Sequence, residues 1–333
     1  MKASMKAFLI SSLMMALFLA GCSGSKSSSH VPLLSSTTNT YNVGSGPHGI
    51  AIDSSGNVWV ANAWDYTVTK LNSNGITIGT YSAGSLPMGI AIDSSGNVWV
   101  AGGNAVTKLN SNGVTIGTYS VGKNPTGIAI DSAENVWIAN FYDNTVTELN
   151  SAGFTIGTYA VGSRPEGIAI DRTGNVWVAN EGSNNVTKLN SSGLIMGTYP
   201  VDSGPYGIAI DSAGNVWITN SGSHNVTKLN ASGTTIGTYA LEYSVGPQGI
   251  AIDGTGDVWV VNSDSGTVTK LNSSGSALGI YVNSFSLPFS LAIDSAGNVW
   301  VVNPGSNTVI ELAGVAKGPQ FFPYKGPMWP GDW

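Results

Sequence analysis

The sequence predicts an all-β fold closed into a ring: a seven-bladed β-propeller of four-stranded blades, with an N-terminal strand completing the last blade. Three observations lead there. The stretch at 49–62, G-I-A-I-D-S-S-G-N-V-W-V-A-N, is written seven times, its Asp at Asp53, Asp93, Asp131, Asp171, Asp211, Asp253 and Asp294 and its Trp at Trp59, Trp99, Trp137, Trp177, Trp217, Trp259 and Trp300. Successive Asp are 40, 38, 40, 40, 42 and 41 residues apart, and a fixed period of that size marks a solenoid, propeller or array. The strands also count unevenly, in a way that only closure explains.

Each unit reads as four short strands. The first, at 49–53, places the small Ala51 between two Ile, as strands converging on an axis require. In the second, at 57–62, Val58 and Val60 face one way and Trp59 and Ala61 the other. Both faces are apolar because a blade is sandwiched between two neighbours. The third, at 67–71, carries Lys70 and reads as an outer, more polar strand; the fourth, at 76–81, ends the unit. Asp53 caps the turn into the second strand and Gly56 supplies positive φ there, whereas Glu134 takes the glycine position in the third unit at some cost in strain. No unit can bury both faces alone, so the units must stack.

Seven sets of the first three strands are present, but only six fourth strands follow them, ending at Tyr81, Tyr119, Tyr159, Tyr199, Tyr239 and Tyr281. The missing one lies upstream, where Thr40-Tyr41-Asn42-Val43-Gly44 matches Thr118-Tyr119-Ser120-Val121-Gly122. Residues 37–44 are therefore expected to latch the ring and remove its exposed edge. The propeller spans 37–312.

Outside it, residues 1–22 read as a targeting segment. Lys2 and Lys6 precede an apolar run over 7–20, too short to span a bilayer, which needs about 20 residues. Leu19-Ala20-Gly21-Cys22 resembles the lipobox of bacterial lipoproteins, and Cys22 is the chain's only cysteine. That resemblance implies lipidation at Cys22 and a membrane partner through the anchor. It also implies a cell-envelope location, at the outer membrane, in the periplasm or on the cell surface. A Ser-rich stretch at 23–36 reads as a flexible tether and a Pro/aromatic-rich tail occupies 313–333. Charged residues are 10% of the chain, the net charge is −6, and no basic patch exists, which argues against nucleic acid and favours a small neutral or amphipathic ligand or a peptide.

The repeat resembles the NHL-type propeller repeat and, more closely, the propellers of the virginiamycin B (streptogramin) lyase type. Those have seven blades and include enzymes as well as binding modules, so the likeness speaks for fold more than for activity. Functional residues are sought where the copies differ. The position between Pro and the first strand is His48, Met88, Thr126, Glu166, Tyr206, Gln248 and Phe289; the second variable loop adds Trp64 and Tyr142. A variable face on an invariant scaffold is where loops carry function. Lys70 and its equivalents read as a solvated face, and Asn62 and its equivalents as groups satisfying backbone near the channel mouth.

Pro47-His48-Gly49 matches the loop that carries a catalytic His in the lyases. The resemblance would also require a second His in the adjoining blade and Glu nearby with Mg²⁺, and Phe289 stands in that blade. No cofactor is expected, Mg²⁺ only if lyase chemistry survives, and no metal ligands are assigned. Two functions stay open: a non-catalytic envelope scaffold binding a ligand or protein, and a lyase- or hydrolase-type enzyme using His48.

Overall fold

The computed structural model describes residues 31–242 and 245–316, whose strands form seven sheets. The expected targeting segment with Cys22 and the tail beyond 316 lie outside the described residues. In the first blade Pro47–Ile52, Val58–Asn62, Thr67–Leu71 and Thr77–Ser82 pair in sequence order. The next five blades repeat this order, and in the last Thr38–Asn42 lies against Thr308–Leu312. The expected latch is thus present: five residues in antiparallel register, with the Tyr41 ring stacked on Trp300 at 5.5 Å.

Packing follows from the apolar second strand. All seven Trp are fully buried, and each sits in a cluster that joins its own blade to the next; Trp300 of the last blade meets Ile50, Val58 and Leu71 of the first. Every Trp Nε1–H finds the repeat's Asp, as Trp59 does with Asp53 Oδ2 at 3.1 Å. Asp53 Oδ1 meanwhile accepts from the backbone N–H of Ser55 and Asn57, so one carboxylate caps the turn and holds the indole. Glu134 takes φ 65° at the turn glycine's position, as its sequence position implied.

Several expectations need correction. The third strand is buried, not outer; the outer strand is the fourth. Its Lys is not solvated: Lys70 is 8% exposed, lies 4.6 Å from the Trp59 ring and donates to the Ser111 carbonyl of the next blade at 2.8 Å. A long apolar stem and a cation over an indole face fit this interior edge better than water does. Asn62 is wholly buried and donates to the hydroxyls of Thr67 and Thr69, so it ties the second strand to the third and does not ring the mouth. Part of the expected tether is ordered: Leu33–Leu34 adds a parallel fifth strand beside Ala277–Val282, with Leu34 covering Gly279. Two adjacent leucines have an apolar edge to cover, which the serines around them do not.

Candidate functional site at the channel mouth

The variable position is not in a loop. It is the second residue of the innermost strand, Pro47–Ile52 in the first blade, where the ladder slips between Pro47 and Ile50. The following glycine explains the construction. A Cβ at Gly49 would strike the carbonyl of Met88, one at Gly89 that of Thr126, and one at Gly127 that of Glu166. Each variable residue therefore lays its backbone against the next blade's neighbour, and only its side chain is free to differ. Ser290 replaces this glycine in the last blade, and there the inner strand is shorter, Ser290–Ile293.

Six of the seven variable side chains, His48, Met88, Thr126, Glu166, Tyr206 and Phe289, line one cavity of about 200 Å³ over the axis, floored by the inner-strand isoleucines. The His48 ring lies on Phe289 at 3.9 Å between centroids, and Phe289 meets Tyr206 edge-on at 5.5 Å. Blades one, five and seven thus share an aromatic wall. The Thr126 hydroxyl is turned to the neighbouring backbone, donating to the Pro165 carbonyl at 3.1 Å. Gln248 is the exception. Its amide Nε2 donates to Ser221 Oγ at 3.3 Å, and it lines a second cavity of about 410 Å³ together with Glu166, Tyr206, Glu181, Arg164 and Phe141. Trp64, 67% exposed, flanks a third hollow with His48 and Met88, whereas Tyr142, equally exposed, packs on Phe141 and lines none of these cavities.

The electrostatics are uneven. Burial holds the His48 imidazole down to about 4, against a weaker opposing hydrogen bond with the Met88 backbone, so the ring is neutral at pH 7. Its ring is half-buried by surface area, yet protein surrounds it at the channel mouth. Burial pushes the Glu166 carboxyl up to about 8, with the charge of Glu181 adding to it. Burial, then Glu166 and Glu181, drives the Tyr206 phenol well above its ordinary value.

One residue of the candidate site has no counterpart among the sequence-based expectations. Arg164, the residue before Pro165, reaches Glu181 at 3.6 Å and lies 5.8 Å over Phe141. Every blade takes positive φ at that pre-proline position, with Gly or Asn in four of them but Leu86 (45°), Arg164 (51°) and Leu287 (49°) in the rest. Side chains held in that conformation cost about 1 kcal/mol or more each and cluster at functional sites. The signal was there: the column before the proline varies as much as the one after it.

The surroundings of His48 do not fit a Mg²⁺ ion. The Phe289 ring lies against His48 and Met88 lines the same cavity, and no group of three or more His, Cys, Asp or Glu is brought together among the described residues.

Comparison with known proteins agrees on architecture. The NHL repeat family model matches residues 45–71. Among solved structures, a streptogramin B lyase superposes with a TM-score of 0.76 at 18% identity, covering 83% of this chain and 96% of that one. A catalytically inactive virginiamycin B lyase from Staphylococcus aureus, solved with quinupristin, gives 0.77 at 19% identity, covering 83% and 99%. Hydrazine synthase from Kuenenia stuttgartiensis gives 0.75 at 16% identity, covering 88% and 100%. The search of curated proteins returned no match. At such identities the likeness establishes the seven-bladed fold and an NHL-type repeat, and function rests on the site.

Proposed function

We propose that the protein is a binding scaffold of the cell envelope, taking a small amphipathic molecule or a peptide at the channel mouth without transforming it. One observation supports this most. Copies of a single template all differ at the position after the proline, and six of those seven side chains line one cavity. Aromatic walls with a few polar groups are the usual furniture of a ligand site. Replacing His48 or Tyr206 with Ala should abolish binding of hits from a ligand-library thermal-shift screen. Each should lower the melting temperature by only about 2 °C, because both rings rest on Phe289 but neither is core. Binding that survives both changes would sink the reading.

The envelope location is supported by the apolar run ending in the lone Cys22. Cys22→Ser should release the protein from membranes in a fractionation, and a variant still processed and still membrane-bound would refute the anchor.

A second reading, a lyase- or hydrolase-type enzyme, is favoured by one fact: a neutral imidazole and a protonated carboxyl, His48 and Glu166, line the same cavity. Against it, an imidazole held near 4 is a weak base at neutral pH. Turnover lost equally in His48→Asn and Glu166→Gln would establish it.

A further inference from the structure

We infer that the cavity between blades four and six is a receptor for an organic ammonium group, whose apolar body extends from it into the channel mouth. This rests on the binding function proposed above and names the ligand's chemistry.

Two acceptors in this part of the fold are shielded from water and short of hydrogen-bond donors. Gln248 Oε1 lies beyond the reach of solvent and makes no hydrogen bond; Glu181 Oε2, equally shielded, makes none either and has only the Arg164 guanidinium beside it at 3.6 Å. They come from different blades and line the same hollow of about 410 Å³. A buried acceptor left without a donor destabilises the empty site, and a ligand that donates to it recovers that loss. Glu166 adds a third acceptor at the wall shared with the channel. Three acceptors lining one hollow match in number the three N–H bonds of an ammonium group. The rings of Phe141 and Tyr206 complete the lining, and aromatic rings attract cations, as Phe141 already does with Arg164.

Charge points the same way. Glu181 is paired at 3.6 Å with Arg164, which leaves Glu166 as the carboxyl without a cation. The groups facing Glu166 are Thr126, Glu181 with its Arg164, Tyr206 and Gln248, with His48 lining the same channel cavity. None of these supplies a positive charge to it directly, and burial with Glu181 nearby keeps its proton on in the empty site. An arriving ammonium would take the place of that proton: the carboxyl ionises, the proton leaves to solvent, and the new ion pair is neutral. A neutral ligand, the class that the low overall charge suggested, would have no such exchange. The aromatic wall of Phe289, Tyr206 and His48 lies within reach for the apolar body.

The test titrates the full chain by calorimetry with 2-phenylethylammonium and with 2-phenylethanol, which shares its body but lacks the charge. The ammonium should bind at least about tenfold more tightly. Its affinity should rise up to about tenfold per pH unit between 6 and 8, with about one proton released in buffers of different ionisation enthalpy. Glu166→Gln should remove the preference, the pH dependence and the proton release together, while its melting temperature shows that it folds. Equal binding of the two compounds at the channel mouth would overturn the ammonium receptor and leave the binding function standing. Binding of neither would overturn both, as would an unchanged preference in Glu166→Gln overturn the role of that carboxyl.

Discussion

At the scale of single residues, the Asp of the repeat shows how one carboxylate is held ionised in a half-buried place. Burial pushes Asp53 up, but hydrogen bonds from Asn57, Trp59 and the turn backbone outweigh it and leave it below the usual range; Asp93, Asp171, Asp211 and Asp253 behave alike. Glu166, where burial and the charge of Glu181 outweigh the single hydrogen bond from Thr126, goes the other way. The two shifts have opposite consequences for stability. Groups depressed in the fold contribute above their unfolded value and are lost as the pH falls through the folded one, so the Asp caps make the protein acid-labile below about 4. Glu166 is raised from 4.5 to about 8, so its contribution is full below 4.5 and declines as the pH rises through about 8. Melting curves of wild type and Glu166→Gln should therefore diverge in the variant's favour between pH 5 and 9. Parallel curves would show that this carboxyl ionises freely.

At the scale of elements, neighbouring blades are fastened at their outer edges by the same few contacts. Lys70 donates to the Ser111 carbonyl of the next blade, and the Tyr81 ring lies where a Cβ on that blade's Gly113 would go. The repeat departs from this in two blades, and both substitute in the same way. Glu148 replaces the Lys and accepts from the Tyr159 hydroxyl at 2.8 Å; Glu311 replaces it in the last blade and accepts from Tyr41 at 2.8 Å. Burial and the neighbouring carboxylate push both phenols up to about 12, which keeps the donors in place at neutral pH. The closing strand is thus held by backbone pairing, by the Tyr41–Trp300 stack and by Tyr41 against Gly75 of the first blade. Deleting 37–44 should lower the melting temperature by more than about 5 °C or cause aggregation through the bared edge. An unchanged melting curve would show that the ring does not depend on the latch.

These two scales also show what the sequence could and could not reveal. The ring, its blade number and its latch were legible because a period, a strand count and a displaced Tyr41 motif are statements about order along the chain. Inward- and outward-facing third strands look alike in a sequence. Lys70 read as solvated because its fate is decided by an indole and a carbonyl from elsewhere in the fold. The variable column was legible by comparing copies, but the division of its members was not. Gln248 leaves the channel because its amide finds Ser221 of the preceding blade, and Tyr142 stays outside because Phe141 takes the inward place.

At the scale of the whole molecule, the two faces of the disc have been built to different rules. One carries the same Asp turn in every blade, its carboxylate consumed by backbone and indole. The other carries a base, an acid, two aromatics, a thioether and two neutral polar groups around one opening, with strained Leu86, Arg164 and Leu287 beside them. That asymmetry is the core of the functional reading. It is tested most directly by soaking crystals of the protein with a library of small fragments and mapping where they lodge. Density is expected between His48, Phe289 and Tyr206 and in the adjoining hollow of Glu166 and Gln248, with the Asp-turn face bare. Fragments gathered on the Asp-turn face, and none at the channel mouth, would contradict it.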